Sequence, residues 1–167
     1  MSKKYKKMAR LTTSNLKTTR DFENVIDSFH NFTNVQRNTT DEAFTIGDDI
    51  TLVELAVDAT SSRVVTMPAA KVGRNVRVIW SVEQASNDRV FTRAGSDTFA
   101  GNIFTSVAGD SGGDGDVVAV ANTTVAITVQ DDTNIGSYID FQCAADGMWL
   151  VTGHLVLDNV ANVPTVA

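Results

Sequence analysis

A mostly β domain behind a basic N-terminal arm is the fold class this sequence predicts. Three observations predict it. Apolar residues recur at every second position over short runs, as they do when one face of a strand is buried. Those runs are separated by Gly, Asp and Asn, with 11 Gly and only 2 Pro in 167 residues, which is the composition of polar turns. Only one stretch, Phe22 to Phe29, shows helical spacing. The expected architecture is an antiparallel β-sandwich, jelly-roll or compact barrel with an N-terminal arm and one short helix.

Residues 1–17 lack periodicity and read as an arm. Over residues 20–32, Phe22, Val25, Ile26 and Phe29 fall at i, i+3, i+4 and i+7, the apolar stripe of an amphipathic helix. Thr18 or Thr19 can cap its start, and Asp21 and Glu23 suit its first turn. So short a helix is marginal alone, so its stripe needs a partner surface. That surface is its own β domain, a sister subunit or another protein.

Residues 33–42 read as a polar linker, which places the domain boundary between 1–40 and 41–167. The period then changes to two. Val53, Leu55 and Val57 share a face, as do Val76, Val78, Trp80 and Val82, and Val125, Ile127 and Val129. Shorter strands are expected at 63–67, 89–93 and 117–121. Two β-rich runs, 137–143 and 148–157, flank Asp146-Gly147, a strong hairpin signal. Trp80 is expected in the core; Trp149, beside that turn, fits either the core or an exposed or subunit surface. The tail after Asn159 reads as irregular. No repeat is visible, which argues against solenoids and propellers.

Composition narrows the chemistry. Cys143 is the single cysteine, so no intrachain disulfide and no thiolate metal cage can form. No apolar run reaches the length of a membrane span, and no apolar signal segment follows the basic start. Assembly in a reducing cytoplasm is expected, and the Asn-x-Thr sequons at Asn31, Asn38 and Asn122 are then not glycosylated. The net charge of −6 hides a split: +5 over residues 1–40 and −11 over the remainder. A basic arm on an acidic body is an interaction pattern, and the body itself should not bind nucleic acid. The arm is either a solvated terminus or a tether to an acidic protein surface.

No catalytic motif is complete. Gly109-Asp110-Ser111-Gly112-Gly113 reproduces the nucleophile turn of chymotrypsin-like proteases. That chemistry needs a histidine base, and only His30 and His154 exist. His154 follows the serine, the wrong order, and His30 lies on the expected helix. The segment reads as a loop, with no catalytic residue assigned. Its Asp110, Asp114 and Asp116 could hold calcium but match neither the EF-hand nor the nonapeptide calcium pattern, so no metal or other cofactor is expected. No P-loop, Rossmann glycine pattern or zinc-protease helix is present, and no small-molecule substrate is implied.

Three phrases carry a resemblance. Val64-Val65-Thr66-Met67-Pro68-Ala69-Ala70-Lys71-Val72-Gly73, followed by a valine-rich strand, resembles a segment of small β-structured phage virion proteins. Ser137-Tyr138-Ile139-Asp140-Phe141, followed by Ala145-Asp146-Gly147-Met148-Trp149-Leu150-Val151-Thr152-Gly153, resembles the usual end of such domains. The segment Phe22 to Asn31 looks like a helix near the start of many phage structural proteins. This chain departs from them in its charged loop at 109–116 and its basic first ten residues.

The resemblance implies a capsid decoration (cement) protein, a homotrimer on the virion surface that is made in the host cytoplasm and docks on the major capsid protein. The expected docking residues are Lys3, Lys4, Lys6, Lys7 and Arg10 of the arm and Phe22, Val25, Ile26 and Phe29 of the helix. The alternative is a tail-fibre or adhesin-type module that binds a host glycan.

Overall fold

A computed structural model describes residues 34–108 and 115–167. The β domain spans Asn34–Ala167. The expected arm and helix, and most of the 109–116 loop, lie outside the described residues.

Among the described residues twelve strands form two sheets. They are β1 (Val35–Asn38), β2 (Phe44–Thr45), β3 (Leu52–Leu55), β4 (Arg63–Thr66), β5 (Asn75–Trp80), β6 (Arg89–Thr92), β7 (Thr98–Val107), β8 (Val117–Thr124), β9 (Ala126–Val129), β10 (Tyr138–Ala145), β11 (Met148–Leu157) and β12 (Thr165–Val166). The seven-stranded sheet runs β1-β3-β5-β10-β11-β7-β8 and the five-stranded sheet β12-β9-β6-β4-β2. Neither sheet closes on itself.

Both sheets are mixed, which corrects the antiparallel expectation. β1, β3 and β5 run parallel in one sheet; β2, β4 and β6 run parallel in the other. Parallel neighbours need a long crossover. Here the crossover from β1 to β3 carries β2, and the one from β3 to β5 carries β4. The first six strands therefore wind between the sheets, each sheet supplying the other's return path. Local alternation marks which residues point inward but does not encode strand direction, so this winding is not legible in the sequence.

After β6 the chain changes pattern. β7 enters the large sheet at its far side and pairs in parallel with β11 along its whole length, from Thr98↔Met148 to Val107↔Leu157. β9 returns antiparallel to β6, and β10 antiparallel to β5. The hairpin at Asp146-Gly147 joins β10 to β11 as expected, with Gly147 at φ +84°. β1 lies inside the stretch read as linker, and the tail carries a 3-10 turn (Val160–Asn162) and β12 rather than irregular chain.

The sheets face each other across one hydrophobic core. Val53, Val76, Val78, Ile103, Ile139 and Val151 come from the large sheet; Val65, Phe91, Ile127 and Val129 come from the small one. Aromatic rings cross the gap. Phe91 of β6 lies 6.1 Å from Trp80 and 5.6 Å from Phe141, which in turn meets Phe99 at 5.8 Å and Trp149 at 6.5 Å. These are edge-on and tilted contacts, the favoured geometries for aromatic pairs. Both tryptophans are buried, so Trp149 belongs to the core. Their indole N–H groups have no hydrogen-bond partner among the described residues, a cost that burial of the large rings offsets.

One backbone position governs the β7–β11 pairing. Gly101 sits at φ +145°, and a Cβ built there would lie 1.9 Å from the Val151 carbonyl oxygen. The β7–β8 register also shifts between Phe99 and Gly101. Gly101→Ala is therefore expected to destabilise the domain by about 3 kcal/mol. Gly73→Ala, at φ +84° with open space around it, should cost only about 1 kcal/mol. Urea unfolding of the two variants checks the ranking.

Candidate functional surfaces

None of the nine expected docking residues lies among the described ones: Lys3, Lys4, Lys6, Lys7, Arg10, Phe22, Val25, Ile26 and Phe29 all precede Asn34. Ser111, with Asp110 and Asp114 of the acidic loop, is also outside them. Asp116 is described, and its backbone closes the β7–β8 ladder: Thr105 N–H donates to the Asp116 carbonyl at 2.8 Å. Among the described residues no group of three or more His, Cys, Asp or Glu side chains is placed to hold a metal ion.

His154 lies on the outer face of the large sheet. Its Nε2 is 3.0 Å from Ser106 Oγ. The contact is a cross-strand polar pair, and among the described residues no carboxylate is hydrogen-bonded to this imidazole. Cys143 is free and buried, and burial pushes its thiol pKa up, away from the reactive thiolate.

Two of the three phrases that carry the resemblance meet in space. Val72 N–H donates to Asp146 Oδ1 at 2.9 Å, and Gly147 N–H donates to the Ala70 carbonyl at 3.0 Å. Asp97 joins them by accepting from Ala70 N–H at 2.6 Å. Three loops are thus tied into one cluster at that end of the sheets. The tie explains why a Pro-Ala-Ala turn and an Asp-Gly turn, far apart in sequence, belong together.

Near β4 and β6 two arginines are held in different ways, Arg63 by a carboxylate and Arg89 by uncharged oxygens. Arg63 forms a two-pronged bond with Asp41, at 2.8 and 3.0 Å, and Asp41 also accepts from Thr60 N–H and its hydroxyl. These partners, the Arg63 guanidinium first, hold the Asp41 carboxyl well below the ordinary carboxylate range, and Asp41 in turn raises the Arg63 pKa. Arg89 is fully buried. Its Nε donates to Gln84 Oε1 at 2.9 Å and one Nη donates to the Val57 carbonyl at 2.8 Å, while Gln84 passes the chain of bonds on to Asp58 at 2.8 Å. Burial pulls the Arg89 pKa down from its ordinary value. In the sequence Arg89 is only the start of an expected strand; nothing local distinguishes a buried arginine from an exposed one.

The outer face of the large sheet repeats the theme over half its width. Arg37 pairs with Glu54 at 3.0 Å, and Arg77 grips Asp140 at 2.6 and 2.7 Å while lying 5.0 Å above the Tyr138 ring. Over the other half, Phe104, Val117 and Leu150 stand exposed.

Two of these charged groups can be tested directly. Arg89→Ala strands Gln84 and the Val57 carbonyl and is expected to cost about 3 kcal/mol in urea unfolding. Asp41 has a depressed pKa in the folded state, so its contribution is present above the unfolded-state value near pH 4 and fades as pH falls below it. Asp41→Asn should accordingly lower thermal stability at pH 7 and narrow the gap to the unsubstituted protein as pH is taken down toward 2. A melting series across that range reads the slope.

No protein-family model matches the chain, no curated protein matches it, and no solved structure matches its fold.

Proposed function

We propose that this protein decorates a phage capsid, its basic arm and stripe helix docking on capsid subunits while a sandwich of the two β sheets faces outward. The observation that carries the reading is the division of charge: +5 over residues 1–40 against −11 over the rest. The ion pairs of the β domain support it from the other direction. Asp41, Asp140 and Glu54 are engaged by Arg63, Arg77 and Arg37 of the same domain, whereas the first ten residues of the sequence carry five cations and no acidic residue.

The mechanism is mechanical. Binding only to the assembled lattice stabilises that lattice by mass action. More than one linked arm per docking unit raises avidity without a strong single contact. The glycan-binding alternative draws less support, because both indole rings that could stack on a sugar are inside the core.

Co-sedimentation with isolated capsids of the parent virus tests the reading. The full chain should pellet with capsids. A variant with Lys3, Lys4, Lys6, Lys7 and Arg10 all changed to Gln should bind at least about tenfold more weakly, and raised salt should weaken the full chain in the same way. A full chain that stays in the supernatant at micromolar concentration sinks the decoration reading.

A further inference from the structure

The outer face of the large sheet is chemically divided. Over β1, β3, β5 and β10 it carries the Arg37–Glu54 and Arg77–Asp140 ion pairs. Over β11, β7 and β8 there is no Asp, Glu, Lys or Arg at any position. One residue in five of the whole chain is charged, so three neighbouring strands with none form a distinct surface. That surface is open to water: Phe104 is 53% and Val117 56% exposed, and the two face each other across the β7–β8 register. Leu150 of β11 extends the strip.

A bare strand edge borders this strip. β8 ends the sheet, and among the described residues no strand pairs with its far side. The bond from Thr105 N–H to the Asp116 carbonyl sets the phase of the ladder. In an antiparallel pair alternate residues turn their polar groups away from the neighbour, so Val117 and Ala119 point theirs outward. Edges left open in this way are normally short, charged or interrupted by proline. The others here comply: β2 and β12 have two residues each, and β1 has four with Arg37 among them. β8 has eight residues, pairs in unbroken register with β7 over Val117–Val120 before the ladder shifts, and the sequence from 117 to 130 contains neither charge nor proline.

We propose that β8 is a self-association edge, on which a second copy of this chain lays its own β8 antiparallel about a two-fold axis near Ala119. Three observations select a second copy as the occupant. An open edge is matched by another extended strand with its own outward N–H and C=O groups, and among the described residues only β8 offers one of this length. An antiparallel pair about a two-fold axis uses the same patch twice, so no second complementary surface is required. Charge is the third. Copies of a chain with net charge −6 repel each other, and the uncharged seam is where that repulsion opposes contact least, whereas a basic or acidic partner segment finds no counter-charge there.

At the seam Ala119 places only an exposed methyl group on the outer face of the sheet. Val117 and Phe104 of each copy then flank the seam and lose their exposure to water. A two-fold seam makes a dimer where the resemblance implies a trimer, and it stands whether or not the protein binds capsids.

Sedimentation equilibrium of the full chain at micromolar concentration is the first readout, with twice the 17.9 kDa chain mass expected. Ala119→Lys sets like charges against each other across the axis and should weaken the dimer at least about tenfold. Ala119→Glu should do the same, and mixing the two variants should restore a dimer, which shows that both remain folded. The position is exposed, so the circular dichroism spectrum of each variant should match that of the unsubstituted chain. A mass of one or three chains for the unsubstituted protein overturns the proposal, as does a dimer that survives both substitutions, or folded variants whose mixture stays monomeric.

Discussion

The parallel pairs of each sheet exist only because the other sheet supplies their crossovers. β1, β3 and β5 cannot lie side by side unless the chain travels back between them, and the path back is β2 and β4 of the facing sheet. Fold and core are therefore one constraint. Separating the sheets would leave the parallel strands with long loops and no apolar cover. The rings of Trp80, Phe91 and Phe141 sit where this matters most, linking β5 and β10 on one side to β6 on the other. Their packing holds the winding shut.

Beyond the winding the chain has a different character. β7 crosses to the far side of the large sheet, and Gly101 lets its backbone pass the Val151 carbonyl at a distance no side chain would permit. The β11-β7-β8 half of the sheet is thus an addition to the wound half, and its chemistry differs accordingly. The wound half and its flanks carry ion pairs: Arg63–Asp41, Arg37–Glu54 and Arg77–Asp140. The strands of the added half carry no Asp, Glu, Lys or Arg. It exposes Phe104 and Val117 beside an edge whose backbone groups have no neighbour among the described residues.

These differences explain which elements are legible in the sequence. β3, β5, β9 and β11 are legible because Val53/Leu55, Val76/Val78/Trp80, Ile127/Val129 and the Trp149-to-Leu157 series alternate over a buried face. β2 and β12, two residues each, carry no pattern; they exist by pairing with β4 and β9. β1 is Val-Gln-Arg-Asn, which looks like a linker because it is an edge strand with only Asn38 fully buried. β7 escapes notice because Gly101 and Asn102 interrupt its alternation, a local break whose cause is the approach to β11. Outside the Asp146-Gly147 hairpin strand direction is illegible, since side-chain period is the same in parallel and antiparallel sheets. The candidate surfaces divide likewise. The basic arm is evident from composition alone, while the uncharged seam emerges only once β7, β8 and β11, separated in the chain, are placed side by side.

The two proposed contacts would obey different physics. Docking through five cations of the arm rests on Coulomb attraction between solvated groups, which salt screens over about 8–10 Å. Pairing through β8 rests on main-chain hydrogen bonds and apolar burial around Phe104 and Val117, which salt leaves intact or strengthens by reducing the repulsion between two acidic bodies. Ionic strength therefore separates them: as it rises, attachment to an acidic surface weakens while the paired body persists. Under the two proposals the outward-facing unit would assemble first and attachment would be left to the arms, because the proposed seam between copies and the proposed capsid-docking charges share no residue.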